Sequence, residues 1–382
     1  MKKIAIIKLI NSKNIKSKRN YGIDLLRIFS MINVIILHIN LCSNQLKLKF
    51  NDDKFKPIWR LETLSYFAVN CFGLISGIVG YKKYKFSNLI YIWFNTSFYS
   101  FAFSLYLYFI NKNNFRNLMI SLLPLLIKYH WYINAYFILY LFIPFINFGI
   151  MNINQKAYRN IVLFYILFFS FYYVVGAILK VSLNFNYLNS GYSAQWLIIL
   201  YIIGGYLGKY VIIKKSKLKA KNFIICLLVY LFSTFLSSEL YFFLIENKSQ
   251  IKGKSFLINY ISPTILLQAL SLIIMFSKFS INNNFLIKII SFFTPLTLNI
   301  TFIHFKFFRL KIITFEWMKN VNKNIICILI YQLGIALYIF CGLIDYLRSV
   351  LFRLLKIKRF CLFIEDKFPK LIEKILSKIY IK

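Results

Sequence analysis

The hydrophobic residues of this chain are gathered into ten stretches that contain no Asp, Glu, Lys or Arg. A helix needs about 20 mostly apolar residues to cross the hydrocarbon core of a bilayer. The stretches are of that order, and the shorter ones extend past a charged residue at one end. The pattern predicts an all-α fold, a polytopic integral membrane protein with about ten transmembrane helices. The stretches are residues 28–46, 63–81, 86–111, 129–155, 160–179, 181–208, 222–238, 255–277, 289–305 and 324–344.

The uncharged stretches divide the chain into one membrane domain with a short tail at each end. We predict a basic N-terminal tail over residues 1–20, the ten-span membrane domain over 21–345 and a basic C-terminal tail over 346–382. In the C-terminal tail, apolar residues recur at helical spacing between Lys and Arg, which predicts an amphipathic helix on the inner leaflet. The run 117–127 is too short to span and is interpreted as an interfacial or re-entrant piece. The spaced apolar residues are Leu351, Leu354, Leu355, Leu371, Ile375 and Ile379.

Charge indicates the orientation and limits the partners. The chain has 48 Lys and Arg against 11 Asp and Glu, for a net charge of +37. Basic residues collect in both tails, and cytoplasmic segments of membrane proteins are enriched in Lys and Arg. We therefore expect both termini on the cytoplasmic side of the cell membrane, with basic residues beside anionic lipid headgroups. Nucleic acid is not expected as a partner, because the sequence has neither a concentrated basic face nor a recognition motif.

The cysteines give no sign of a metal centre. They form no CxxC pair, and no His and Cys residues cluster at metal-ligand spacing. Most of them fall within the predicted spans, where cysteine behaves as a small apolar residue. We therefore expect no bound metal. The six cysteines are Cys42, Cys71, Cys226, Cys327, Cys341 and Cys361.

Ionisable side chains inside the spans are the strongest signs of function, because placing them in lipid is costly. Three of them share the first helix. Arg27 and His38 are 11 residues apart, which places them about 20° apart around a helix and about 16 Å apart along it. Asp24 lies one turn before Arg27, at a spacing that favours an ion pair. The full set is Asp24, Arg27, His38, Glu239 and His304.

This polar stripe on the first helix suggests a path for a substrate and a proton. Arg27 lies nearer the predicted cytoplasmic end, where a cation attracts an anionic substrate, and His38 lies deeper. Histidine titrates near neutral pH and suits proton transfer. In a soluble helix a lone histidine is usually a hydrogen-bonded core residue, but the cost of a polar group in lipid favours a functional role here.

The segment Tyr21–His38, in which ten residues separate the Arg from the His, resembles the first span of the membrane acyltransferase family 3. Three further segments resemble later motifs of that family and occur in the same order. This order within a ten-span chain is more specific than the Arg and His spacing alone. The further segments are Cys71–Gly77, which ends in Ser-Gly, His130–Pro144, which begins with His-Trp, and Leu298–His304, which ends in Ile-His.

The resemblance implies transfer of an acyl group, usually acetyl, from cytoplasmic acyl-CoA to a hydroxyl of an envelope glycan or another saccharide. The enzyme would be an O-acyltransferase for groups other than amino-acyl, with acyl-CoA as a substrate and no permanently bound cofactor. His38 would be the catalytic histidine that activates the hydroxyl or relays the acyl group. Arg27 would face the donor's charge or hold the catalytic geometry, with Asp24 orienting it.

The chain departs from the family pattern in two places. After the second span the family often carries an Arg-x-x-Arg pair, whereas this chain has Lys82, Lys83 and Lys85, which become the candidates for binding the phosphates of CoA. Lysine is a point charge and lacks the planar fork with which arginine binds phosphate through two bonds. In the late motif, Phe302 replaces the usual Tyr and Phe305 the frequent Pro, which leaves the histidine between them open to a packing role or a site role.

Three residues are the candidates for binding the acceptor. His130 and Trp131 begin one span on the predicted external side, where an interfacial aromatic belt is the alternative explanation. Glu239, which follows two serines in the seventh span, either binds an acceptor hydroxyl or satisfies a neighbouring helix. The uncharged segment 181–194 is rich in Asn, Ser and Tyr, and is either a sugar-binding segment or an ordinary polar loop.

A transporter or flippase for lipid-linked saccharides is the competing interpretation, because such proteins also have many spans and buried arginine. The sequence shows no sign of a broken-helix pair or a two-half repeat, features typical of secondary transporters, and this favours the acyltransferase. The substitution His38→Gln distinguishes the two. A transporter is expected to tolerate it, whereas an acyltransferase is expected to lose turnover and still bind its donor.

Overall fold

The computed structural model describes residues 19–81, 84–126, 131–179, 188–212, 220–247 and 255–367. These residues form helices joined by turns, without a strand, so the predicted all-α fold is confirmed. The helices are α1 (Tyr21–Cys42), α2 (Phe55–Ser65), α3 (Ala68–Gly80), α4 (Phe86–Phe109), α5 (Phe115–Ile120), α6 (Trp131–Asn152), α7 (Gln155–Ile178), α8 (Ala194–Tyr206), α9 (Ala220–Glu246), α10 (Pro263–Ser277), α11 (Asn284–Phe293), α12 (Thr297–Arg309) and α13 (Lys323–Leu354).

Eight segments of the described chain are long and apolar enough to cross a membrane, and each overlaps one predicted stretch. Five are single α-helices, one is α8 continued by a π-helix at Leu207–Ile212, and two consist of the pairs α2–α3 and α11–α12. The other two predicted stretches contain α4, which has 24 residues but many Tyr, Ser and Asn, and α10, which has 15 residues. The short run 117–127 falls on α5 and a 3-10 turn at Pro124–Leu126. The chain is therefore a multi-pass membrane protein.

Two of the spans are interrupted in their middle. A turn at Tyr66 and Phe67 separates α2 from α3, and a 3-10 turn at Thr294–Leu296 separates α11 from α12. Pro295 lies in the second turn and has no N–H to continue the α-helical bonds. Tyr66, Phe67, Thr294 and Leu296 keep right-handed helical dihedral angles, so each pair bends without an unwound segment. Hydropathy does not show such breaks, because a turn enclosed by protein needs no polar sequence.

The first span, α1, lies at the centre of the bundle. It packs against α2, α3, α10, α11, α12 and α13, and side chains such as Leu26, Ile35 and Ile39 have no exposed surface. By contrast, only 17% of the residues in the most apolar part of α7 are buried, and 28% of those in α9. Such exposed apolar surface suits contact with lipid. The polar stripe of α1 is therefore enclosed mainly by protein.

The contact between α3 and α8 is close enough to require glycine. A Cβ atom on Gly77 would lie 2.1 Å from the carbonyl oxygen of Tyr201. A Cβ atom on Gly204 would lie 2.1 Å from the carbonyl oxygen of Leu74. Small residues permit this approach between helices in membranes. The glycine of the Ser-Gly motif therefore has a packing role.

The last helix does not stop at the predicted domain boundary. α13 runs past residue 345 and ends at Leu354, and residues 357–367 are helical as well. In this helical part of the tail, Glu365 accepts a hydrogen bond of 2.6 Å from the backbone N–H of Phe86 at the start of α4. The described part of the tail therefore packs against the bundle. Leu371, Ile375 and Ile379 of the tail, and residues 1–18 at the other end, lie outside the described residues.

Candidate active site

Asp24 in the first turn of α1 joins two arginines. Its Oδ1 accepts a hydrogen bond from Arg27 Nη1 at 2.8 Å, and its Oδ2 accepts one from Arg19 Nε at 2.5 Å. Asp24 is 4% exposed, and the helix dipole stabilises a carboxylate at this position. The helix begins here because Asn20 caps it by accepting from the N–H of Ile23. The predicted Asp24–Arg27 pair is therefore present, and Arg19 adds a second cation.

His38, about three turns after Arg27 on α1, meets His304 of α12. Nδ1 of His38 and Nε2 of His304 are 2.8 Å apart. Nδ1 of His304 lies 2.7 Å from the carbonyl oxygen of Ile300, which can only accept, so this nitrogen carries a hydrogen. With both rings neutral, Nε2 of His304 is then an acceptor, and the Nδ1–H of His38 donates to it. This tautomer leaves Nε2 of His38 as its basic nitrogen.

Helix α12 follows the same face of α1 between the arginine and the histidine. Thr301 Oγ1 lies 3.4 Å from Sδ of Met31, and the ring of Phe305 lies against His38 with centroids 5.1 Å apart. His304 itself is completely buried. The sequence left His304 open to a packing role or a site role. Its position beside His38 favours the site role. The sequence signal was present, since a histidine within a span is rare.

Arg27 faces the first turns of α6. Its guanidinium lies within electrostatic range of the Tyr132 and Tyr136 phenols, whose rings stack with centroids 6.0 Å apart. The Tyr136 side chain also interacts with Ser76 of the Ser-Gly motif. The stripe on α1 is thus bordered by α6 near Arg27 and by α12 near His38, so the four motif segments converge around one helix.

Four aromatic rings meet at the start of α6. Trp131 contacts Tyr192 and Tyr260, with ring centroids 4.7 and 6.1 Å away. Tyr260 also contacts Tyr66 at 4.7 Å, and the hydroxyls of Tyr66 and Tyr192 are 3.2 Å apart. We call these four residues the aromatic cluster. It contains the predicted acceptor residue Trp131, whereas the adjacent His130 lies outside the described residues.

A buried carboxyl group lies beside the aromatic cluster. Glu62 of α2 is 4% exposed, and its Oε2 accepts a hydrogen bond of 2.9 Å from Asn40 Nδ2. Glu62 also lies within electrostatic range of the Tyr66 and Tyr260 phenols. Glu62 does not stand out in the sequence, because it directly precedes the uncharged stretch 63–81 and resembles the charged end of a span. The interrupted span carries it into the bundle.

Glu239, another predicted acceptor residue, is held in an ion pair. Its Oε1 accepts hydrogen bonds from Arg60 Nε at 3.0 Å and Arg60 Nη2 at 2.7 Å. The Arg60 and Glu239 side chains are 52% and 34% exposed. This pair joins α9 to α2. Its contacts agree with the second interpretation of Glu239, in which the carboxylate pairs with a group on a neighbouring helix. Acceptor binding by Glu239 stays a prediction.

Of the three lysines predicted to bind CoA, only Lys85 is described, and Lys82 and Lys83 lie outside the described residues. Lys85 directly precedes α4. Next to it, burial and then the charge of Glu365 raise the pKa of Tyr84. A carboxylate of the C-terminal tail therefore lies close to the predicted donor side.

A second buried ion pair, missed from the sequence, lies near the end of α13. Arg348 Nε and Nη2 donate to Asp345 Oδ1 at 2.7 Å and Oδ2 at 3.1 Å. Tyr99 donates to Oδ1 at 2.6 Å, and Asn299 donates to Oδ2 at 3.2 Å. Arg348 also donates to Asn95 at 2.6 Å. The network joins α4, α12 and α13. It escaped prediction because its charges marked the presumed end of the last span.

The stripe on α1 can attract an anion at one end and move a proton at the other. Arg27, held by Asp24, supplies a fixed positive charge. His38 supplies a basic nitrogen, and His304 stabilises the imidazolium that forms when this nitrogen takes a proton. Within the described ranges, no group of three or more His, Cys, Asp or Glu is placed to hold a metal ion.

The chain is thus a helical membrane bundle with an Arg and His stripe on its central helix. A family model for an acyltransferase domain matches residues 20–344, most of the chain. The chain therefore belongs to the membrane acyltransferase family 3, and the resemblance noted from the sequence is confirmed. It is an enzyme, an acyltransferase broadly of the O-acyl type. No curated protein and no solved structure matches the chain.

Proposed function

We propose that this membrane acyltransferase moves an acyl group, specifically acetyl, from cytoplasmic acetyl-CoA to a hydroxyl of an envelope glycan or saccharide. In this proposal both termini lie on the cytoplasmic side of the cell membrane, as their basic residues favour. The observation that carries the proposal is the hydrogen bond between His38 and His304. It orients a basic nitrogen within the membrane, as deprotonation of a hydroxyl requires.

In the proposed reaction, Nε2 of His38 takes the proton of the acceptor hydroxyl while the hydroxyl oxygen attacks the thioester carbonyl carbon. A C–O bond forms and the C–S bond breaks. CoA leaves as a thiolate and takes the proton from His38, so the products are an ester and free CoA. His304 stabilises the transient imidazolium because its Nε2 accepts from His38 Nδ1. General base catalysis typically contributes about 10²–10⁴-fold in rate.

The donor is proposed to enter at the cytoplasmic end of α1. Arg27 would face its negative charge or hold the catalytic geometry, and the contact with Asp24 restrains the guanidinium. Lys85, together with Lys82 and Lys83, would bind the phosphates of CoA as point charges. The thioester then has to pass along α1 from Arg27 to reach His38.

The acceptor is proposed to bind on the opposite side of the bundle. Trp131 offers an aromatic face for a sugar ring, and His130 directly precedes it in the sequence. Glu239 offers a carboxylate that accepts from hydroxyls, although it would have to share this role with Arg60. In these assignments the donor enters from the cytoplasmic side of the bundle and the acceptor from the external side.

A transporter or flippase for lipid-linked saccharides is the second candidate function, and the two bent spans are the observation behind it. Secondary transporters commonly build their substrate sites from pairs of discontinuous helices near the middle of the membrane. The pairs α2–α3 and α11–α12 bend near the middle of their spans, and the backbone stays helical at both bends. The variant His38→Gln separates the two functions, because transport is expected to survive it and acyl transfer is not.

The proposed function is tested by the ester-linked acyl content of envelope glycans. Cells that carry the native protein are compared with cells that carry His38→Ala at equal membrane abundance. Loss of one ester from an otherwise intact glycan is the expected result, and it identifies both the acyl group and the acceptor. Unchanged esters would contradict the proposal for these glycans. Loss of the surface glycan itself would instead favour the transporter.

A further inference from the structure

We infer that the aromatic cluster binds a sugar ring of the acceptor, with Glu62 accepting hydrogen bonds from the hydroxyls of that ring. This inference rests on the proposed function, because it names where the acceptor of the transfer reaction is held. It adds Tyr66, Tyr192, Tyr260 and Glu62 to the predicted Trp131. Three features support it: the position of the cluster, its construction and its chemistry.

The aromatic cluster lies beside the part of α1 that joins the arginine to the histidine. Phe67, which directly follows Tyr66 of the cluster, stacks on Phe29 with ring centroids 5.5 Å apart. Phe29 lies between Arg27 and His38 along α1. Phe29 is two residues after Arg27 and nine before His38, so a ligand on the cluster would lie beside the stretch of α1 that the thioester has to pass.

A strained turn positions one ring of the cluster. Asn189, Ser190 and Gly191 have φ of 42°, 56° and 90°, all in the left-handed region. The turn places Tyr192 against Tyr260, with ring centroids 4.9 Å apart. A Cβ atom on Gly191 would lie 2.4 Å from Cβ of Tyr260, so a larger residue does not fit. Strain of this kind persists where surrounding structure imposes it, and it clusters at functional sites.

Two buried hydrogen bonds fix the backbone of Tyr260, another residue of the aromatic cluster. Asn70 Nδ2 donates to the carbonyl oxygen of Tyr260 at 2.8 Å, and Trp196 Nε1 donates to Asn70 Oδ1 at 2.9 Å. Asn70 and Trp196 are both completely buried. The rings are therefore held in place before a ligand arrives, which lowers the entropic cost of binding.

The chemistry of the site suits a sugar better than the donor. A sugar presents C–H groups to aromatic faces and hydroxyls to polar groups. Glu62 accepts hydrogen bonds from hydroxyls and offers no positive charge to the phosphates of acyl-CoA. An interfacial aromatic belt faces lipid headgroups, whereas Tyr260 is 4% exposed and faces protein. Tyr192, at 36% exposed, is the open edge of the cluster.

The test uses the purified full-length chain, radiolabelled acetyl-CoA, and envelope polysaccharide that has been stripped of esters by mild base. Tyr192→Ala removes an edge ring with little risk to folding. We expect it to raise KM for the polysaccharide about tenfold, while kcat and KM for acetyl-CoA stay unchanged. Tyr192→Phe keeps the ring and is expected to restore most of the affinity. Tyr106→Ala, which removes an exposed tyrosine of α4, is the matched control.

The outcomes separate this inference from the proposed function. If native protein transfers acetyl and Tyr192→Ala and Glu62→Gln both leave KM for the polysaccharide unchanged, the acceptor site is elsewhere and the proposed function stands. An increase in KM for acetyl-CoA in the Tyr192 variant would assign the cluster to the donor and overturn the inference. If native protein transfers no acetyl to the polysaccharide, the proposed function fails, and the acceptor site fails with it.

Discussion

Nδ1 of His38 lies 2.8 Å from Nε2 of His304, although 266 residues separate the two in the sequence. Because His304 donates through its other nitrogen to the Ile300 carbonyl, the hydrogen between the two rings belongs to His38. A carbonyl oxygen buried one turn away thus determines which nitrogen of His38 is basic. The late histidine is therefore a positioning residue, and His38 is the residue that would meet substrate.

The first prediction concerns this positioning role. We expect His304→Leu to lower kcat for acetyl transfer about 100-fold, because the His38 tautomer is no longer fixed and its imidazolium is no longer stabilised. KM for acetyl-CoA is expected to stay near the native value. His304→Gln keeps an acceptor oxygen and should retain part of the activity. The measurement is steady-state transfer from labelled acetyl-CoA by purified protein at matched folded amounts.

Phe305→Leu is the control for the His304 variants, because Phe305 contacts the His38 ring without a polar atom. It should lower kcat far less than His304→Leu does. If the two substitutions lower kcat equally, packing around His38 explains the loss, and the proposed hydrogen-bond role of His304 is wrong.

The second prediction compares the two arginines that share Asp24. The Arg27 side chain is 27% exposed and Arg19 is 46% exposed. Arg27→Ala should lower kcat/KM for acetyl-CoA about 100-fold, because a fixed charge on the substrate path is lost. Arg19→Ala should change it by less than about fivefold, since exposed ion pairs contribute about 0–1 kcal/mol. Equal losses in both variants would contradict a separate role for Arg27. They would point instead to Asp24, the partner that both arginines share, as the group that transfer requires.

The sequence predicted the helical membrane fold because long uncharged runs leave few alternatives in lipid. It did not predict where helices break. Pro295 is a visible signal, yet prolines also occur within unbroken spans, as Pro144 does in α6. The turn at Tyr66 and Phe67 contains no Pro or Gly at all. Such breaks depend on tertiary packing, which a hydropathy pattern does not contain.

The residues of the candidate site that share one helix could be predicted from the sequence, whereas the contacts between helices could not. Asp24, Arg27 and His38 could be placed together because helical geometry fixes their spacing. The contact of His38 with His304 is long-range and needs the packing of α1 against α12. Glu62 was missed for a different reason, since a charge at the edge of an apolar run looks like the end of a span.

The third prediction concerns the buried pair of Asp345 and Arg348. Asp345→Leu should destabilise the protein by about 3–5 kcal/mol, because it leaves a buried guanidinium without its partner. The double variant Asp345→Leu/Arg348→Met should recover part of this loss, since no buried charge remains. The recovery is incomplete because Tyr99, Asn299 and Asn95 lose their partners in the network. Thermal unfolding in detergent measures the stability of both variants. Glu239→Gln, which breaks a more exposed pair, is the control and should cost about 0–1 kcal/mol. A double variant no more stable than the single one would contradict this account.

The fourth prediction concerns the close contact of α3 and α8. Gly77→Ala and Gly204→Ala should each destabilise the protein by about 1–3 kcal/mol, because the new methyl group meets a backbone carbonyl and the helices must move apart. Gly149→Ala in α6 is the matched control. Its Cβ would meet nothing within 4 Å, so it should be neutral or stabilise the helix by about 0.5–1 kcal/mol.

The same contact predicts how the two glycine substitutions combine. Once one methyl group has moved α3 away from α8, the second methyl group meets its backbone carbonyl at a longer distance. The losses of stability caused by the two substitutions should therefore not add. The double variant Gly77→Ala/Gly204→Ala should therefore lose less stability than the sum of the single variants. Strict additivity in thermal unfolding would show that the two positions act independently. That result would contradict the single helix contact in which the structure places them.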